Sequence, residues 1–301
     1  MTNHIFWLAS YPKSGNTLLR AILISLFFTN DGVFKFDYFK IIGQFEETER
    51  IKKNISLFKN ILRENINKEN LFKNLIKLQT RESLRLEKNK TIFLKTHSGL
   101  FDVYGYPFTK QSMTMGIIYI VRDPRDVCIS WSKHSGKNIN ESINFMLNAR
   151  QGLQWNESYN DNFFSNQNRP VLYLSSWDRH VESWCENKWN VPKKIIKFED
   201  IVYNKRKVII ELIEFFEKNY QLKIINKSKK INNIIKYTKF EQFKNEEFMS
   251  GFKESNKKIN FFSVGEKNQW KNKLTKEQIF KIEEKFNGVM KKFNYKLVNN
   301  Q

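Results

Sequence analysis

Three short stretches carry residue types whose spacing suits the handling of an anion. The first is "SYPKSGNT", Ser10 to Thr17, between a strand-like run ("HIFWLA") and a helix-like run ("LLRAILISLFF"). A helix N-terminus offers unsatisfied backbone N–H groups and the positive end of a dipole, and Gly15 lets the backbone come close to a bound group. Lys13 adds a full positive charge, while Ser14, Asn16 and Thr17 add short hydrogen-bond donors. The triphosphate-loop pattern G-x-x-x-x-G-K-[ST] is absent, because the lysine precedes the glycine instead of following it.

The second stretch is "IVRDPRDVCIS", Ile120 to Ser130. Arg122 stands at the carboxyl end of an apolar run that reads as a buried strand, the edge where α/β sheets bind ligands. Ser130 falls in the second turn of the helix that Asp123-Pro124 opens, so both side chains are candidates for one anion. Arg125 and Asp126 read instead as surface or helix-capping residues. The third is "LKTHSG", Leu94 to Gly99. In extended chain Lys95 and His97 project from the same face. A histidine there suits a general base, because its unperturbed pKa lies near neutrality. His4, His134 and His180 read as structural.

The elements that must hold these stretches follow from hydrophobic periodicity. Strands are expected at 4–9, 91–98, 115–126 and 193–200, the third a continuous apolar run suited to a central parallel strand. Helices are expected at 16–28, 175–187 with a serine cap, 207–218, and 275–293 with a Thr275/Gln278 capping box. Strands alternating with helices predict an α/β fold: a P-loop-like, three-layer arrangement with a central, mainly parallel sheet and helices on both faces. No repeat or linker divides the chain, so a single domain over 1–301 is expected, with 46–90 as a helical insertion or cap.

Composition sets the outer bounds. The 301 residues are 40% hydrophobic and 15% aromatic, enough for a globular core. The 52 Lys+Arg against 31 Asp+Glu give a net charge of +21, which attracts anions of every kind. No nucleic-acid motif accompanies that charge, and most of it reads as solvated surface. Cys128 and Cys185 stand far apart, outside any C-x-x-C pair, so a disulfide framework and a zinc site are not expected, and a reducing, cytoplasmic location fits. The N-terminus lacks the basic flank of a signal peptide, and no apolar run reaches the length of a membrane span.

Taken in order, "YPKSGNT", "KTHSG", "YIVRDPRDVCIS", "KFEDIVYN" and "VGEKNQWKNKLT" resemble the sulfotransferase family that uses 3′-phosphoadenosine 5′-phosphosulfate (PAPS). The resemblance runs from about Ile5 to Tyr295 and implies transfer of a sulfuryl group from PAPS to a hydroxyl or amine, with no metal required. It implies that Lys13, Ser14, Gly15, Asn16 and Thr17 hold the 5′-phosphate, with Lys13 also facing the bridging oxygen. It implies that Arg122 and Ser130 bind the 3′-phosphate, that Thr238 and Phe240 contact the adenine, and that Gly265 belongs to the C-terminal donor segment. His97 matches the catalytic base, and Lys95 a cation beside the transferring sulfonate.

The chain departs from the family pattern at several points. Asn16 and Leu18 stand where Thr and Trp are commoner, and Phe198 where many relatives have Tyr. Ser263-Val264-Gly265 replaces Arg-Lys-Gly, leaving Lys257, Lys258 or Lys267 as substitute cations. The aromatics Phe34, Phe36, Tyr38, Phe39, Tyr104, Tyr106, Phe108, Trp155 and Tyr159 either line an acceptor pocket or belong to the core. The acceptor expected is a small molecule, lipid alcohol or glycan, with no nucleic-acid partner, and no dimer motif is evident in the tail. Two other readings share part of the evidence: a P-loop kinase, which has the same sheet and loop, and a basic polyanion-binding module without catalysis. Joint retention of Lys13, Lys95, His97, Arg122 and Ser130 argues against a decayed relative.

Overall fold

Strand β1, Ile5–Ser10, is buried at every position, as its unbroken apolar run requires of a strand covered on both faces. It pairs in parallel with β2, Ile92–Thr96, in the register Ile5 to Ile92 through Ala9 to Thr96. Residues 102–107 form a short antiparallel hairpin, β3 (Asp102–Val103) and β4 (Tyr106–Pro107). Strand β5 covers Thr114–Val121, and β6 (Gly152–Gln154) pairs antiparallel with β7 (Val171–Tyr173). With β8, Lys193–Lys197, the main sheet has the order β2-β1-β5-β8, a parallel α/β sheet flanked by helices. The computed structural model describes residues 3–47, 75–154, 171–252, 254, 261–262, 265 and 267–298. Most of the expected insertion at 46–90 lies outside the described residues.

The chain packs as two compact units. One comprises Met1–Tyr11, Gly43–Tyr119 and Asn148–Lys193; the other comprises Pro12–Ile42, Ile120–Leu147 and Lys194–Gln301. In the first, Trp7, Phe45, Phe108 and Trp184 form an aromatic core, with ring centroids 5.2 to 6.4 Å apart. In the second, helix α1 (Asn16–Phe27) leaves the loop that follows β1. Buried Lys230 donates to Leu26 O in the last turn of α1 at 2.6 Å and to Thr29 O just beyond it at 2.8 Å. A cluster of Phe34, Phe36, Phe39, Phe243, Phe252 and Phe262 fills the adjoining interior. Several aromatics named as acceptor candidates are therefore core, Phe108 included. Tyr104 is exposed, and Trp155 and Tyr159 lie outside the described residues.

Helix α2, Pro124–Ser135, starts as expected: Asp123 accepts from Arg125 N at 3.0 Å and proline occupies the first turn. Helix α3 (Ile139–Leu147) follows it. Helix α4 is Trp177–Cys185, shorter than the expected 175–187; Ser176 stands at its cap position but its hydroxyl donates to Asp178 instead of capping. The run at 193–200 does not stay a strand. It turns helical at Phe198, giving α5 (Phe198–Tyr203) with Glu199 and Asp200 in a first turn where negative charge is favoured. Helices α6 (Lys205–Tyr220), α7 (Lys227–Tyr237) and α8 (Phe240–Ser250) follow. The short α9 (Trp270–Lys273) leads to α10, Lys276–Lys292, whose Thr275/Gln278 capping box is present. No described helix is long and apolar enough to cross a membrane.

Candidate active site

The loop between β1 and α1 is wound by two residues with positive φ, Lys13 at 66° and Gly15 at 99°. Gly15 serves as the cap of α1, and no side chain caps that helix. Glycine is required twice over: the left-handed backbone disfavours a side chain, and a Cβ would lie 2.3 Å from Cδ2 of Phe198. Ser14, Asn16 and Thr17 are all buried, and the Ser14 hydroxyl has no hydrogen-bond partner among the described residues. A buried hydroxyl without a partner among the described residues, beside a helix start that carries no side-chain cap, leaves donors available to an anion.

Arg122, at the end of β5, is tied to this loop. Its Nη1 donates to Lys13 O at 3.0 Å, and its guanidinium lies 4.3 Å from the ring centroid of Phe198. Phe198 thus does more than lack a hydroxyl: its ring underlies Gly15 and stacks on the arginine. Burial pulls the Arg122 pKa down from its usual value, opposed by the carboxylates of Asp126, Glu199 and Asp123; the group stays charged. The Lys13 ammonium lies 3.7 Å over the ring of Phe261.

The other expected donor residues fall into smaller groups. Gly265, at φ 67°, packs so closely on Phe240 that a Cβ would meet the ring at 2.5 Å. Thr238 is fully buried, donates to Ile234 O at 2.7 Å and accepts from Lys205 Nζ at 3.2 Å. Burial lowers the Lys205 pKa to about 8. Ser130 is half-buried on α2. Of the substitute cations, Lys267 lies over the Tyr203 ring at 3.8 Å, while Lys257 and Lys258, with Ser263 and Val264, lie outside the described residues.

Lys95 and His97 belong to the other compact unit. Strand β2 ends at Thr96, so His97 is not placed by the pleat that would have aligned it with Lys95. It sits in the following turn, held by its own hydrogen bonds. Its Nδ1 lies 2.8 Å from Ser10 O, a pure acceptor, so Nδ1 carries the proton and Nε2 keeps the lone pair a base needs. His97 O accepts from Nε2 of His180 at 3.0 Å, and His180 Nδ1 accepts from the Tyr119 hydroxyl at 2.8 Å. Around it, Lys95 N donates to Gly43 O, Trp184 Nε1 to Ser98 O and Gly99 N to Tyr173 O.

Two expectations need correction. Arg125 and Asp126 are not surface residues: they are 2% and 1% exposed. Arg125 pairs with Asp123 at 2.6 Å and Glu283 at 2.5 Å and lies 3.7 Å over Trp270, while Asp126 accepts from Asn268 N and Trp270 N. The helix that Asp126 caps is α9, about 140 residues downstream, so no local pattern announced it. Sequence reasoning also passed over Phe261 and Glu46, whose partners are equally remote, while His180 is the structural histidine it was expected to be.

The sulfotransferase domain family matches residues 4–294. The chain belongs to the sulfotransferase family. Over 279 residues this sulfotransferase is 24% identical to sulfotransferase 1E1 of Bos taurus, covering 89% of this chain and 77% of the relative. Over 290 residues it is 26% identical to sulfotransferase 1B1 of Mus musculus, covering 95% and 81%. Among solved structures, mouse sulfotransferase SULT7A1 complexed with PAP superposes with a TM-score of 0.56 at 17% identity, covering 95% of this chain and 84% of that one. Retinol dehydratase in complex with androsterone and inactive cofactor PAP superposes with a TM-score of 0.59 at 16% identity, covering 99% and 84%. These likenesses establish the sulfotransferase fold.

Proposed function

We propose that this sulfotransferase moves a sulfuryl group from PAPS to a hydroxyl or amine of a small-molecule, lipid-alcohol or glycan acceptor, acting in the cytoplasm. The observation that carries this reading is the cradle at Ser14–Gly15, with its unsatisfied buried hydroxyl and with Arg122 anchored to Lys13 O. A cradle of one loop and one buried arginine suits a nucleotide bearing separate phosphates. PAP in the solved relatives favours the same ligand.

In this reading the donor supplies an activated sulfonate whose bond to a phosphate oxygen breaks in line with the attacking acceptor. The loop amides, Ser14, Asn16 and Thr17 hold the 5′-phosphate, and Lys13 offsets the charge that grows on the leaving oxygen. Arg122 and Ser130 hold the 3′-phosphate, Phe240 stacks on the adenine between Thr238 and Gly265, and Lys95 attends the sulfonate. His97, with its Nδ1 proton committed to Ser10 O, takes the acceptor proton at Nε2.

Ligand-induced melting shifts provide the test. Bisphosphate PAP raises the melting temperature of the wild type, and Lys13→Ala or Arg122→Ala abolishes the rise. Stabilisation by ADP or ATP with Mg²⁺, but not by PAP, refutes the reading in favour of a kinase-like enzyme. A screen of alcohols and amines with labelled PAPS identifies the acceptor class.

A further inference from the structure

Glu46 is a buried carboxylate to which the proposed chemistry assigns no task. A backbone bridge brings it to the end of β2: Lys95 N donates to Gly43 O at 3.0 Å, and Phe45 N donates to Lys95 O at 2.8 Å. The Oε1 atom accepts from the hydroxyl of Thr96 and, at 2.9 Å, from that of Ser98. These are the two residues flanking His97. Thr96 Oγ1 in turn accepts from Ser98 N at 3.0 Å, closing a small ring of hydrogen bonds across the histidine's backbone. The second carboxylate oxygen, Oε2, is buried with no hydrogen-bond partner among the described residues.

A carboxylate is an expensive way to fill that space. Burying one costs several kcal/mol, and both hydroxyl bonds fall on the same oxygen. An apolar side chain would serve folding alone at lower cost. What the carboxylate adds is direction, since one oxygen ties the residues before and after His97 to a single point.

We propose that Glu46 is a positioning residue for His97: by accepting from Thr96 and Ser98 together, it locks the turn that presents the imidazole to the acceptor. The proposal rests on the reading of His97 as the base. Burial pushes the Glu46 carboxyl above its usual pKa, while Thr96, its own backbone, Ser98 and the Lys95 charge pull it down. The clamp does not need the charge, only the acceptor oxygen. Glutamine offers that oxygen in the same place, which separates geometry from electrostatics.

Steady-state kinetics of the full chain with PAPS and an acceptor found in the screen provide the test. Glu46→Ala is expected to lower kcat about 10- to 100-fold, the penalty for a loosened catalytic group. The KM for PAPS and the melting shift given by PAP stay at wild-type values. Glu46→Gln restores kcat to within about threefold, a rescue that a loss of bulk or charge would not show. The double variant Thr96→Val, Ser98→Ala removes both bonds to Glu46, and the Ser98 N bond to Thr96 Oγ1 with them, without a large cavity and reproduces the Glu46→Ala loss, which covers the case in which the alanine variant does not fold. Wild-type kcat in Glu46→Ala or in the double variant overturns the proposal, as does a Glu46→Gln enzyme as slow as the alanine one. His97→Ala separates the two levels: unchanged kcat there overturns the base reading, and with it the role of Glu46, whereas lost activity leaves Glu46 to be judged by its own variants.

Discussion

Acidification should weaken this fold through one histidine. His180 is fully buried, with Nε2–H donating to His97 O and Nδ1 accepting from the Tyr119 hydroxyl. Desolvation lowers its pKa from 6.5 to about 4, partly opposed by the bond to His97 O. Above pH 6.5 the ring is neutral folded or unfolded, and the linkage is silent. Between 6.5 and about 4 the unfolded chain binds a proton that the fold refuses, so stability is lost as pH falls and the loss is complete below the folded pKa. At about 1.4 kcal/mol per pH unit the full effect is about 3 kcal/mol, of which about 2 kcal/mol is lost between pH 7.5 and pH 5. Glu46, Asp126 and Glu199 have raised pKa values and act in the opposite direction, so the wild-type curve alone does not isolate the histidine. His180→Gln does, because its amide can donate to His97 O and accept from Tyr119 without titrating. Urea unfolding of both proteins at the two pH values gives the difference. A His180→Gln protein whose pH-dependent loss matches the wild type to within about 0.5 kcal/mol refutes the reasoning.

Other substitutions probe the site and its supports. Gly15→Ala places a Cβ in the Phe198 ring at a positive φ; we expect a loss of about 1–3 kcal/mol in urea unfolding and no PAP-induced melting shift. Phe198→Leu removes the ring stacked on Arg122 and should weaken PAP binding about tenfold by calorimetry, as loss of a desolvated cation–π contact predicts. Glu283→Gln breaks one arm of the buried Arg125 network and should cost about 3 kcal/mol in chemical denaturation, with PAP affinity unchanged. Thr275→Ala deletes the capping box of α10 at about 1 kcal/mol, read in the same way.

Local signals carried much of the architecture. The apolar run of β1, the Asp123-Pro124 start of α2 and the Thr275/Gln278 box each state a preference within a few residues, and the structure follows them. The run at 193–200 misled because its tail is apolar and charged in alternation. What ends the strand is Phe198 turning toward Gly15, a contact spanning more than 180 residues. His97 was legible as a residue but not as a geometry. Its orientation comes from Ser10, His180 and the Glu46 clamp, each at least 50 residues away in sequence.

By itself, then, the order of residues determined most of the strands and helices and the place of the glycine-bearing loop between β1 and α1, and it proposed a set of side chains suited to an anion and a proton. These depend on backbone periodicity, capping and glycine, which act over a turn or a strand. Only the tertiary structure decided that Arg125 and Asp126 are buried supports, that Phe198 underlies the loop and that His180 is neutral and fixed. Burial and partnership decide such roles, and both depend on what the rest of the chain brings alongside.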